Sequence, residues 1–276
     1  MPPRIAIPVL HSSKHEYAER AMPQYERAVE LAGGEPVRVP LDRSPAEVMK
    51  IIEHCDAVLL PGSDADVDPA KYDAPRHAKT ADADARRDTV DELLLQDAYN
   101  MRKPVLGICY GLQILNVYRT GSLVQHIESP INHEAGRKVP IAHQVEIEPD
   151  SKLAEIVGGH PLSCELQDSR GDSCPNLPRA QLRSKTAGGK LAIPVNSSHH
   201  QSTDVVGDSL RVVARCPEDG IIEALEGTSP DHFVLAVQWH PERSVDDDEP
   251  SRAIFRALVE AARERHKKLA GEFESV

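Results

Sequence analysis

The sequence predicts an α/β protein: a mostly parallel sheet covered by helices on both faces, joined to a β-rich portion. Three observations predict it. Short, nearly continuous apolar runs alternate with stretches of helical periodicity up to Gly121, giving βαβαβαβα. The junctions between them carry glycine and proline turn signals. Beyond Gly121 the pattern changes to short strands, often of alternating polarity. Near-continuous apolar strands suit a sheet buried on both faces, and such sheets take their ligands at the carboxyl ends of the strands.

The elements follow in order. "RIAIPVL", Arg4 to Leu10, reads as a buried first strand. "EYAERAMPQYERAVELAGG" is an amphipathic helix interrupted at Pro23 and ended by Gly33 and Gly34. "PVRVP" is a second strand. The next helix starts at "SPAEVMKIIEHC", where Ser44 can cap, Pro45 suits the first turn and Glu47 completes a capping box. "AVLLPG" is a third strand. A long helix over roughly 85–102 precedes "PVLGIC", Pro104 to Cys109, a fourth strand running into another helix. "HQVEIE", "LAIPVN", "LRVVARC", "IIEALE" and "FVLAVQ" supply the later strands, expected to finish a mixed sheet and form a β-rich appendage. "SRAIFRALVEAARERHKKLA" closes the chain as an amphipathic helix with basic residues towards its C-terminus.

At 276 residues the chain is long enough for one large domain, and residues 1–276 are read as one, with 159–190 as an inserted segment. The net charge of −12, without a long basic run, argues against a nucleic-acid partner. "MPPRIAIPVLHSS" holds one short apolar run and no cleavage site, so a soluble, cytoplasmic protein without a membrane partner is expected. Cys55, Cys109, Cys164, Cys174 and Cys216 are odd in number and contain no Cys-x-x-Cys pair, which points to reduced thiols. The partner these features leave is a small molecule.

Cys109 stands in Gly107-Ile108-Cys109-Tyr110-Gly111, the spacing of a nucleophile elbow with cysteine in the nucleophile's place. A residue on so sharp a strand-to-helix turn is strained, and only neighbours without side chains allow the chain to fold back. The turn aims the following amide N–H groups at a substrate, and the positive end of the helix favours a thiolate. A cysteine nucleophile needs a base, and the base a carboxylate to orient it. "FVLAVQWHPE" supplies both, since His240 and Glu242, two apart at a strand end, can project on one side. Singly, Cys109 reads as a buried thiol, His240 as a core histidine and Glu242 as a surface carboxylate. Their conjunction reads as a Cys-His-Glu triad.

No metal or cofactor is expected. Asp64-Ala65-Asp66-Val67-Asp68 opens like a calcium loop, but Pro69 and Pro75 occupy the positions of its glycine and its glutamate. His199 and His200 on an extended segment point opposite ways, and no third ligand stands at a suitable spacing, so a pocket or hydrogen-bonding role is assigned to them.

These motifs, G-x-C-x-G-x-Q and H-P-E, give a chain that resembles the class I glutamine amidotransferases. "LLPGSDADVDPAKY", "NVYRTGSLVQHI" and "VNSSHHQS" make it most similar to the stand-alone γ-glutamyl hydrolases of peptidase family C26, in particular the γ-glutamyl-γ-aminobutyrate hydrolase type. The resemblance implies a flavodoxin-like, doubly wound, mostly parallel sheet. It implies Cys109 as nucleophile, His240 as base and then acid, and Glu242 as its orienter. The oxyanion hole would be the Tyr110 N–H with an N–H from the Gly62-Ser63 turn. Gln113 would support the γ-glutamyl pocket, and Asn196, Ser197, Ser198, His199 and His200 would bind substrate. The implied activity is hydrolysis of a γ-glutamyl amide, as in polyamine catabolism. Alternatives are a glutaminase subunit feeding ammonia to a synthetase, or a non-catalytic relative. A homodimer is common among such proteins. Tyr110 (often arginine), Ser63 (usually glycine) and Thr120-Gly121 (usually a glycine-rich pair) depart from the family pattern, which leaves the loop geometry open.

Overall fold

The computed structural model describes residues 1–158, 184–185 and 189–274. Cys164, Cys174 and most of the expected inserted segment lie outside the described residues. In chain order the elements are β1 (Arg4–Pro8), α1 (His15–Leu31), β2 (Glu35–Val39), α2 (Pro45–Ile52), β3 (Ala57–Leu60), α3 (Ala85–Met101), β4 (Val105–Ile108) and α4 (Tyr110–Tyr118). There follow β5 (Leu123–Val124), β6 (His143–Ile147), α5 (Lys152–Gly158), β7 (Ser184–Lys185), β8 (Leu191–Val195), β9 (Ser202–Thr203), β10 (Leu210–Arg215), β11 (Ile222–Gly227), β12 (Val234–Val237) and α6 (Glu249–Glu274).

One sheet runs in the order β2-β1-β3-β4-β12-β11-β10-β6-β8-β7, and β5 pairs with β9 in a small second ladder. The strands from β2 to β12 are parallel, the 2-1-3-4-5 order of a flavodoxin-like sheet with β12 as the fifth strand. From β12 onward every pairing is antiparallel, so the β-rich portion extends the same sheet.

The strand period of two divides the core. Ile5, Ile7, Leu59, Leu106 and Leu235 face α1 and α6, packing with Tyr25, Val29, Phe255 and Leu258. Ala6, Val58, Leu60, Val105 and Ala236 face the other way, against Val48, Ile52, Leu94 and Leu115 of α2, α3 and α4. The capping box on α2 forms as expected, with Ser44 and Glu47 each satisfying the other's backbone N–H. Helix α1 differs from expectation, running unbroken through Pro23. Buried Ala21, Met22 and Tyr25 on either side hold the turn, which offsets the one hydrogen bond proline removes.

Candidate active site

Cys109 lies between β4 and α4 with φ 53° and ψ −105°, a backbone region costing a non-glycine residue about 1–3 kcal/mol. The flanking glycines show why the turn closes. A Cβ on Gly107 would lie 2.7 Å from the Gly111 carbonyl oxygen, and one on Gly111 would lie 2.1 Å from that of Leu60. The Cys109 N–H donates to the Val237 carbonyl (2.8 Å), which ties the elbow to the end of β12, just before the His240 turn.

His240 Nδ1 is 2.8 Å from Glu242 Oε1, both groups are buried, and His240 Nε2 has no hydrogen-bond partner among the described residues. Asn196 clamps the histidine's backbone, its Nδ2 donating to the His240 carbonyl (2.8 Å) and its Oδ1 accepting from the His240 N–H (3.0 Å). Gly62 fills the corner between base and nucleophile. A methyl there would meet Tyr25 Oη at 3.0 Å, His240 Cε1 at 3.1 Å and Cys109 Cβ at 3.7 Å.

Burial pushes the Cys109 thiol up to about 12, with nearby Arg243 pulling the other way. Burial also lowers His240, and Glu242 offsets this only in part. Desolvation outweighs the helix terminus, so burial disfavours both a resting thiolate at Cys109 and a charged imidazole at His240. Burial alone would raise Glu242, but the coulombic pull of His240, their hydrogen bond and Arg243 hold it below the usual carboxylate range.

The oxyanion candidates separate. The Tyr110 N–H, first in α4 and free of a helical acceptor, faces the Cys109 sulfur. The Gly62 N–H is committed to Tyr25 Oη (3.1 Å), so within this turn the uncommitted donor among the described residues is the Ser63 N–H. The Ser63 hydroxyl turns inward to the Leu10 carbonyl (2.9 Å). Tyr110's side chain is buried, bonded through its hydroxyl to Asp88 and lying under Arg87, and so presents no surface to a leaving group.

Gln113 Nε2 reaches the Gln201 carbonyl (3.2 Å) and so props the 196–201 segment from below. From Ser197 to Gln201 exposure alternates as extended backbone requires. Asn196, Ser197 and His199 are buried and Ser198 and His200 half-buried. Asn196 is spent on His240, the Ser197 hydroxyl donates to the His133 carbonyl (2.6 Å), and His199 Nδ1 lies 2.9 Å from the Gln201 carbonyl. Ser198, bonded to Arg243, and His200, bonded to Asp66, are the members turned towards the outside. The three carboxylates of the calcium-like stretch go separate ways, Asp64 to Lys14, Asp66 to His200 and the Ala81 N–H, and Asp68 to the Ala70 N–H. Thr120 adopts φ 71°, in the left-handed region that favours glycine, and a Cβ on Gly121 would strike Asn116 Nδ2 at 2.3 Å.

Two residues escaped sequence reasoning. Arg243 directly follows H-P-E, and that adjacency was the available signal. Arg87, fully buried on α3, binds Asp91 and donates to the carbonyls of Leu10 (3.0 Å) and Pro61 (2.7 Å), joining the ends of β1 and β3 beside Gly62. Its place in a helix rich in charged residues gave no sign of this.

Comparison with solved structures defines the class of fold. A Thermoplasma acidophilum protein described as part of a GMP synthase superposes with a TM-score of 0.61 at 15% identity, covering 98% of each chain. The glutaminase domain of Trypanosoma brucei CTPS gives 0.57 at 15% identity, over 95% of this chain and 94% of that one. This is the class I glutamine amidotransferase fold. The Peptidase C26 family model matches residues 5–165 and 178–242, and the chain belongs to that family. A glutamine amidotransferase-like protein of Rickettsia prowazekii is 31% identical over 87% of this chain and 88% of its own length. A Mycobacterium tuberculosis protein named as a glutamine amidotransferase is 35% identical over 86% and 66%. The γ-glutamyl-γ-aminobutyrate hydrolase of Escherichia coli K12 is 31% identical over 86% and 84%. The family and these names support a hydrolase- or amidotransferase-like enzyme. Among the described residues no helix is long and apolar enough to cross a membrane.

Proposed function

We propose that the protein is a cysteine-dependent hydrolase of γ-glutamyl amides, with γ-glutamyl-γ-aminobutyrate or a related γ-glutamyl amine as substrate. The observation that carries the reading is the strained Cys109 beside a buried His240–Glu242 pair whose outer nitrogen is free to take a proton. Cys109 Sγ attacks the γ-carbonyl carbon while its proton passes to His240 Nε2. The oxyanion is held by the N–H groups of Tyr110 and Ser63. His240 then returns the proton to the departing amine as the C–N bond breaks, leaving a γ-glutamyl thioester. Water, giving up a proton to His240, attacks that thioester, and the proton returns to the thiolate as glutamate leaves. Glu242 holds the imidazole in one tautomer and stabilises its charged form throughout. Arg243, which donates to the Ser198 hydroxyl (2.8 Å), is the cation we assign to an anionic end of the glutamyl group.

Glutamate release from a panel of γ-glutamyl amides and glutamine, followed by mass spectrometry, tests the reading. Wild-type protein should cleave at least one amide, and Cys109→Ser should be inert or stall. If wild type and variant are equally inert on the whole panel, the reading fails. Cleavage of glutamine alone, and only with a synthetase bound, would instead support the ammonia-supplying alternative.

A further inference from the structure

Glu223, in β11, is fully buried and faces three buried histidines. Its Oε1 lies 3.3 Å from Nδ1 of His133, 3.4 Å from Nε2 of His143 and 3.6 Å from Nε2 of His199. The three come from the loop before β6, the first residue of β6 and the segment after β8. None of these nitrogens, nor either oxygen of Glu223, has a hydrogen-bond partner among the described residues. Five buried polar atoms without a protein partner around Glu223 are costly unless something occupies the space between them.

The outward nitrogens of the same rings say what that is. Nδ1 of His143 lies 3.1 Å from the Gln144 carbonyl, and Nδ1 of His199 lies 2.9 Å from that of Gln201. A carbonyl only accepts, so those nitrogens carry the protons. Nε2 of His133 meets Asp219 at 2.8 Å, which draws its proton outward too. The inner nitrogen of each ring then faces the carboxylate of Glu223 without a hydrogen-bond partner among the described residues. A cation shared by the four groups would satisfy all of them. The three distances from Glu223 Oε1 fit one, because tetrahedral ligands about 2.0–2.2 Å from a zinc ion stand ~3.3–3.6 Å apart. All four ligand atoms lie within 4.8 Å of one another.

We propose that His133, His143, His199 and Glu223 bind one divalent ion of the zinc type. The outward bonds to Asp219, Gln144 and Gln201 are the supports by which histidine ligands are held in one tautomer and orientation. Imidazole nitrogens with a single carboxylate suit zinc over calcium or magnesium, which prefer oxygen ligands. Four protein ligands close the site, so the ion braces the fold. It ties the 196–201 segment, whose Asn196 clamps His240, and the loop carrying His133 to β11. The Ser197 hydroxyl and His199 N–H, both donating to the His133 carbonyl, lock the same junction. A surface cavity of about 290 Å³, lined in part by His133 and His199, gives the ion a way in. His133 also lies near Cys216 and Asp219, but that grouping needs the nitrogen already bonded to Asp219. Spacing along the chain hid this site, since no two of its ligands are sequence neighbours.

The test uses the full chain without a histidine tag. Elemental analysis of protein purified without chelator should find about one zinc per chain, as four-coordinate closed sites hold. Chelator-treated protein titrated with Co²⁺ should develop the intense visible absorption of tetrahedral cobalt, saturating at one equivalent. Zn²⁺ should displace the cobalt and raise the unfolding temperature. Glu223→Gln and His143→Gln should retain at least about tenfold less metal. Folded wild-type protein that takes up neither Zn²⁺ nor Co²⁺ would overturn the proposal, as would an octahedral cobalt spectrum. A folded His143→Gln variant with undiminished stoichiometry would overturn it too. None of these readouts depends on hydrolysis, so the site and the proposed activity stand or fall separately.

Discussion

Replacing Arg87 with methionine tests how the loop bearing Gly62 and Ser63 is held. Arg87 Nε meets Asp91 at 2.8 and 2.9 Å, with both side chains fully buried. Removing one partner of such a pair costs about 3–5 kcal/mol, because the other charge stays buried without compensation. The Leu10 carbonyl keeps the Ser63 hydroxyl as donor, whereas the Pro61 carbonyl loses its Arg87 donor, adding ~1 kcal/mol. Arg87→Met should therefore lose about 4–6 kcal/mol, whereas Arg87→Met with Asp91→Leu should recover most of it by removing the stranded carboxylate. Urea unfolding followed by fluorescence of Trp239, the single tryptophan and a buried one, reads both. Burial raises Asp91 to about 6 even with Arg87 beside it, and without Arg87 it rises further. A carboxyl raised on folding costs stability once it must ionise. The deficit of the single variant should thus be largest at and above neutral pH and shrink as pH falls towards about 6. A single variant within about 1 kcal/mol of wild type, or a double variant as unstable as the single one, would refute the reasoning.

Four more outcomes are expected. Gly62→Ala should lower kcat at least about tenfold with under ~2 kcal/mol change in stability, since its methyl presses on His240 Cε1; steady-state kinetics beside an unfolding curve checks both. The kcat/KM–pH profile should place its acid limb below the ordinary histidine value of about 6.5, since His240 must be neutral to accept the thiol proton and burial lowers it. Glu242→Gln, by removing the group that raises His240, should move that limb lower still while kcat falls. Thr120→Gly should stabilise the protein by about 0.5–1 kcal/mol, because glycine carries no strain at φ 71°; a matched pair of unfolding curves decides it.

What the sequence determined by itself was whatever a few neighbouring residues can specify. Strand and helix periods mark β1 to α4 because each buried face repeats every two or about 3.6 residues. The elbow was legible because Gly107 and Gly111 answer a steric demand within five residues. H-P-E was legible because base and orienter are two apart. Alternation also held at His199 and His200, which turn to opposite sides. The tertiary structure decided what depends on strand order. It joined β4 to β12, so that Cys109 and His240 both lie against Gly62, and carried the later strands on as an antiparallel extension of one sheet. It gave Asn196 to His240 and the Gly62 N–H to Tyr25, and it buried Arg87 between two strand ends. It also brought His133, His143 and His199 around Glu223 from separate segments. Such convergence is set by which strands lie side by side, and a linear spacing carries no record of that.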